Sequence, residues 1–136
     1  MKKEIEVGSG EFFKLFCSPD RFQKLEDGWI KDTLLGIDWG PSSDETMTWK
    51  EAQKYAAEKG GRSPERMELV SLIDDTKHHP AINSIFKDTK TDDWYWTGTP
   101  LAGNVGFAWC VGFFGGSVSS FYKYSGGYVR PVRSSQ

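Results

Sequence analysis

The groups whose types suggest chemistry are two adjacent histidines, His78 and His79, two cysteines, Cys17 and Cys110, and two acidic pairs, Asp74-Asp75 and Asp92-Asp93. Their spacing does not assemble a metal or acid–base site. Adjacent histidines diverge on a regular backbone, and no Cys or carboxylate stands four residues after either, so zinc is not expected. Calcium takes six to eight oxygens from a dedicated loop, which reads the acidic pairs as a helix end and a solvated loop. Cys110 alternates with Trp109 and Val111, as a buried, inert thiol does, and two cysteines make no disulfide framework. The serines between Ser117 and Ser125 have no partner histidine and no Gly-x-Ser-x-Gly elbow. No catalytic residues, cofactor or metal are expected, and the chain is read as not an enzyme.

The remaining candidates recognise rather than react. Trp94, Tyr95 and Trp96 are consecutive aromatics, whose faces stack on sugar rings or peptide side chains at low entropic cost. Alternation puts Tyr95 opposite the two tryptophans, with Trp96 expected in the core and Trp94, beside a polar run, partly exposed. From Val118 onward, alternation sets Val118, Ser120, Tyr122 and Tyr124 on one face and Ser119, Phe121 and Lys123 on the other, which leaves bulky groups in water. Arg130 is expected to be tied to a carboxylate such as Glu68 or Asp38, and Arg133 to be exposed.

The elements that position these residues are legible in part. Phe22 to Leu25, Trp29 to Leu34 and Ile37 to Trp39 read as short strands between glycine turns. Thr48-Trp-Lys-Glu51 is a capping box that starts a helix over 48–59, with Gly60-Gly61 as its stop. Ser63-Pro64 opens a second helix over 63–74, with Ser63 as N-cap and Met67, Leu69, Val70, Leu72 and Ile73 apolar on more than one stripe. A third short helical turn is expected at 81–86, then an exposed loop at 87–93. Strands are expected at 94–97, 108–114, 118–124 and 128–132, with Gly115-Gly116 and Gly126-Gly127 as hairpin signals. The fold class is therefore α+β, two helices on a mainly antiparallel sheet built largely after residue 93.

At 136 residues the chain is one domain, read as an N-terminal segment 1–20 and a domain 21–136. Its 17 basic and 19 acidic residues are interspersed, so nucleic acid is not an implied partner. Glu4 and Glu6 stand where an export signal would need its apolar core, and no run is long enough to insert in a membrane.

One set of pieces, taken in order, resembles a known family. These are Asp32-Thr-Leu34-Leu-Gly36-Ile-Asp-Trp39, Met47-Thr-Trp49-Lys-Glu-Ala52, Arg62-Ser-Pro64-Glu-Arg-Met-Glu68-Leu69-Val-Ser-Leu72-Ile73-Asp74 and Pro80-Ala-Ile82. Tyr95-Trp96-Thr-Gly-Thr99-Pro, Ala108-Trp109, Gly116-Ser-Val118 and Tyr128-Val-Arg130-Pro-Val-Arg133 follow. The chain resembles the C-terminal domain family of a bacterial collagen-like adhesin, the Lcl C-terminal-like family, over Arg21 to Arg133. The family usually carries Trp and Leu where Gly61 and Ser63 stand here. The resemblance implies a C-type lectin-like fold and a surface, secreted or phage-particle setting for a module that binds a glycan or protein. On a scaffold that sets the loop 87–104 beside the hairpin 122–128, the aromatic and polar residues read above are expected to form one site, carried by Trp94, Asn104, Tyr122, Lys123, Tyr124 and Tyr128. The alternative is a structural, homo-oligomer-forming domain of a surface or phage assembly.

Overall fold

A computed structural model of the protein describes residue 16 and residues 18–135. Of the early aromatic cluster and the two cysteines, Phe12, Phe13 and Cys17 lie outside the described residues. The described chain is α+β, with two antiparallel sheets and two helices. Three short strands, β1 (Phe22–Lys24), β2 (Ile30–Asp32) and β3 (Ile37–Trp39), pair as a meander. The last strand, β7 (Val132–Ser134), closes this sheet beside β3. A second sheet is formed by β4 (Tyr95–Leu101), β5 (Asn104–Gly112) and β6 (Ser117–Tyr122), in that order. The expectation of a single sheet is thus corrected to two: most of the strand residues do follow residue 93, but three of the seven strands precede the helices and build a sheet of their own with β7.

Helix α1 (Trp49–Glu58) begins on the expected box, with the Thr48 N–H donating to the Glu51 carboxylate at 2.9 Å. It ends where Gly60, at φ +86°, lets the Gly61 and Gly60 amides donate to the Ala56 and Ala57 carbonyls. A left-handed residue at that position favours glycine because no Cβ clashes there. Gly61 then lies so close to β7 that an added Cβ would stand 2.2 Å from the Val132 carbonyl oxygen. No side chain fits there with the backbone in this position.

Helix α2 runs only over Arg66–Val70, shorter than the expected 63–74. Ser63 and Pro64 stay outside it because they serve other elements. The Ser63 hydroxyl accepts from Gln53, and the Pro64 carbonyl accepts the Gly98 amide at 2.8 Å. The helix starts instead at Glu65, whose N–H donates to the Glu68 carboxylate at 2.7 Å. Its end is set by Ser71, whose carbonyl and hydroxyl both accept from Arg21. Met67 is therefore on the outer side and 69% exposed, while Leu69 and Leu72 are buried. Residues 81–86 form turns rather than helix, with Ile82 bridged to Ile73.

The second sheet is covered on both faces. Tyr95 and Val111 point into a core with Phe22, Trp39, Leu69, Phe86 and Phe113. On the opposite face Trp96, Cys110 and Ala108 pack against Ala52 and Ala56 of α1. Residues 128–131 are irregular rather than a strand, and Gly126-Gly127 is not a hairpin: Gly127 exchanges both backbone bonds with Met47.

The polar stretch 87–93 is partly exposed but stitched down. Asp88 accepts from Arg130 and from the Ser42 amide at 2.8 Å each, and the Lys90 amide donates to the Tyr95 hydroxyl. Arg130 is buried as expected, with Asp88 as its carboxylate. Glu68 pairs with Arg62 instead, and Asp38 with Arg133, whose side chain is only 25% exposed. Burial alone would raise the Asp88 carboxyl, but Arg130 and the Ser42 amide hold it below the ordinary value.

A second buried pair lies at the start of the domain. Asp32 accepts from Arg21 Nε and Nη2 at 2.9 and 2.7 Å, from Trp39 Nε1 at 2.9 Å, and from the Leu34 and Leu35 amides. Removing one partner of such a pair leaves an uncompensated buried charge. Asp32→Asn should lower stability by about 3–5 kcal/mol in urea titration. Arg62→Gln, at an exposed pair, should cost less than about 1 kcal/mol. Because the Asp88 pKa is depressed on folding, its contribution is present above the ordinary carboxylate value and lost as pH falls below about 4. Asp88→Asn should therefore flatten the acid limb of a stability–pH curve; an unchanged limb would refute the assignment.

Candidate functional site

The two faces of β4–β5–β6 divide the candidate residues. Pairing sets Tyr95 opposite Val111, which is opposite Val118, while Trp96 lies opposite Cys110, which is opposite Ser119. Alternation from these pairs puts Phe107, Trp109, Val118, Ser120 and Tyr122 on the Tyr95 face. Phe121 belongs to the other face, where its ring lies 5.0 Å from that of Trp94.

Toward its outer end the Tyr95 face runs past the core and into solvent. Phe107 meets Tyr122 edge-on at 5.4 Å between ring centroids, and Tyr122 meets Tyr124 at 5.3 Å. Tyr122 is 50% exposed, Tyr124 79% and Val105, at the β4–β5 tip, 75%. Further along β5 the Arg66 guanidinium lies 4.0 Å from the Trp109 ring, within cation–π range. Its Nε is buried with no hydrogen-bond partner. Apolar rings held in a row by their neighbours are preformed surface, and little side-chain freedom is lost when a flat partner lies on them.

The expected site residues separate on this frame. Tyr122 and Tyr124 lie together in the row. Asn104 is exposed at the tip, where its Oδ1 accepts the Gly106 amide at 3.3 Å. Lys123 is on the reverse side, its ammonium 4.0 Å from the Trp49 ring. Trp94 is half-buried there too, wedged between Phe114 and Phe121, each 5.0 Å away between centroids. It does not share a surface with Tyr122. Tyr128 is a correction: it is buried, and its hydroxyl donates to Asp92 at 2.9 Å. Desolvation, then the Asp92 carboxylate, push that phenol up to about 12. A phenol used to fasten the loop is not offered to a ligand.

Phe107 and Trp109 were missed as surface residues, although the same alternation applied to β5 would have placed them beside Tyr122. Nothing in the local sequence ties Arg66 to Trp109, forty-three residues away. Among the described residues no group of three or more His, Cys, Asp or Glu is placed to hold a metal ion. Cys110 is a free, buried thiol whose pKa burial pushes up to about 12, so it stays protonated and unreactive at neutral pH. No helix among the described residues is long and apolar enough to cross a membrane.

The family profile described as Lcl C-terminal domain matches residues 28–133, most of the chain. The chain belongs to the Lcl C-terminal domain family. No curated protein matches it. The matched span includes β2 through Arg133, and so takes in the whole aromatic row of this Lcl C-terminal domain.

The split between faces gives an opposite expectation for two aromatics. Trp94→Ala should remove two ring contacts and lower stability by about 2 kcal/mol or more. Tyr124→Ala should stay within about 0.5 kcal/mol of the parent. Thermal melts of both variants check this, and equal melting temperatures would place Trp94 on the surface instead.

Proposed function

We propose that this Lcl C-terminal domain is a non-enzymatic recognition module, on a C-type lectin-like scaffold, that binds a partner through the row Phe107, Tyr122 and Tyr124. The observation that carries the reading is the row itself. Tyr122 and Tyr124 stand in water on the face of a rigid sheet, at 50% and 79% exposure, whereas the other aromatic rings among the described residues are buried or half-buried. Exposed aromatics grouped in this way mark interaction surfaces rather than incomplete cores.

A glycan suits the row best, because a sugar's C–H face stacks on a ring while its hydroxyls reach polar groups at the rim. The tyrosine hydroxyls and the exposed Asn104 amide nitrogen supply such groups. A flat protein surface is the other partner class the same chemistry accepts. Membership of a family of cell-surface-associated domains supports either, in a surface, secreted or phage-particle setting.

The test is binding to immobilised glycans and cell-wall polymers, followed by titration of the best ligand with variants. A stacking ring contributes about 0.5–1.5 kcal/mol beyond its buried area. Tyr122→Ala and Tyr124→Ala should each weaken binding by roughly two- to twelvefold, with an unchanged melting temperature for Tyr124→Ala. Lys123→Ala should matter less, since its ammonium lies against Trp49 on the reverse side. Full affinity in the double tyrosine variant would move the site elsewhere.

A further inference from the structure

The sheet edges are treated unequally. The β4 edge is covered, because the Trp96 amide donates to the Tyr128 carbonyl, the Tyr128 amide to the Trp94 carbonyl and the Gly98 amide to the Pro64 carbonyl, each at 2.8 Å. At β7 the outer side is taken by Arg62, whose amide and carbonyl exchange bonds with Val132. The β1 edge is three residues long and ends on an exposed lysine, Lys24. Among the described residues strand β6 has none of these protections. Its sequence, Ser117-Val-Ser-Ser-Phe-Tyr122, carries no charge, proline or glycine, and none of its residues is buried.

The ladder shows which of its backbone groups are open. The Lys123 amide donates to the Gly106 carbonyl at 2.9 Å, which makes that pair a hydrogen-bonded one. In an antiparallel ladder the parity alternates, so Phe121, Ser119 and Ser117 turn their amides and carbonyls toward β5. Val118, Ser120 and Tyr122 turn theirs outward. The Trp109 carbonyl, opposite Ser120, has the matching parity, since it points to β4 and accepts from Thr97 Oγ1. The Tyr122 carbonyl is used by the Ser125 amide, but no described residue bonds to the backbone of Val118 or Ser120. An uncharged edge of this length is a template for another strand.

We infer that β6 is a strand-addition site for a second copy of this chain, the two β6 strands pairing antiparallel about a two-fold axis at Ser120. The choice of occupant follows from the sequence of the strand, which complements itself in that register. Ser120 meets Ser120 of the other copy as a hydrogen-bonded pair with no bulk at the axis. Val118 meets Tyr122 on the Tyr95 face, a β-branched residue against an aromatic, and this covers two side chains that are 36% and 50% exposed. Ser119 meets Phe121 on the reverse face, and Ser117 meets Lys123, so no like charges oppose. The result is a continuous six-stranded sheet that sets two ring rows on one face. The pairing uses the β6 backbone and does not rest on the proposed ligand.

Sedimentation velocity of the full chain over a rising micromolar concentration series tests it. The parent should shift from the monomer to the dimer coefficient. Ser120→Pro removes an outward amide that β5 does not use, so the fold is kept and the dimer lost. Ser120→Lys sets two like charges together at the axis and should also give monomer at every concentration, with an unchanged circular dichroism spectrum; it decides the matter if the proline variant misfolds. Tyr124→Ala should dimerise normally, which separates this idea from the ligand reading. A parent that stays monomeric throughout, or a Ser120→Lys variant that dimerises like the parent, overturns the inference.

Discussion

The buried ion pair of Arg21 and Asp32 is the interaction on which the first sheet and the second helix both depend. Two charges out of water are tolerable only when their hydrogen-bonding capacity is met. Here Asp32 receives the guanidinium, an indole N–H and two turn amides, while Arg21 spends its other donors on Ser71 and Phe16. One carboxylate therefore shapes the β2–β3 turn, orients Trp39 in the core and, through Arg21, caps the end of α2. A hydrophobic pair of equal volume would fill the space without specifying these directions. The pair binds elements fifty residues apart into one arrangement, and the aromatic core is packed around it.

A similar logic fixes the loop before β4. It contributes few apolar side chains, yet Asp88, Thr89 and Asp92 bind Arg130 and Tyr128, residues of the irregular segment that leads into β7. Tyr95, two residues after the loop, receives the Lys90 amide and shares a 2.7 Å hydroxyl contact with Ser42. Polar residues of this loop are thus consumed in holding backbone that has no sheet of its own. What is left over for a partner is the outer end of the second sheet, where the strands outrun both helices.

Much of this was readable from the chain because the signals were local. The capping box at Thr48 and Glu51, the glycine stop after α1, the three early strands and the exposure of Tyr122 and Tyr124 all follow from spacing within a few residues. The failures share a cause. Ser63 and Pro64 carry a good helix start, but distant partners, Gln53 and Gly98, claim them. Tyr128 looks like a surface aromatic until Asp92 is brought to it from thirty-six residues away. Trp94 and Tyr122 were joined on one surface because alternation within each strand says nothing about which faces coincide; only the pairing of β4 with β5 and β5 with β6 settles that.

The register of the first sheet has a further consequence. Phe22, Asp32, Ile37 and Ser134 fall in one row across its four strands. The polypeptide therefore enters and leaves the sheet at the same end, separated by three strand spacings, roughly 14 Å. A domain with that geometry can be spliced into a loop of another protein without stretching its host, and its ends can be joined by a short linker and reopened elsewhere. The exposed β4–β5 tip at Ala102-Gly103 is a natural place for the new opening, and such a circular permutant would carry the aromatic row unchanged in its setting.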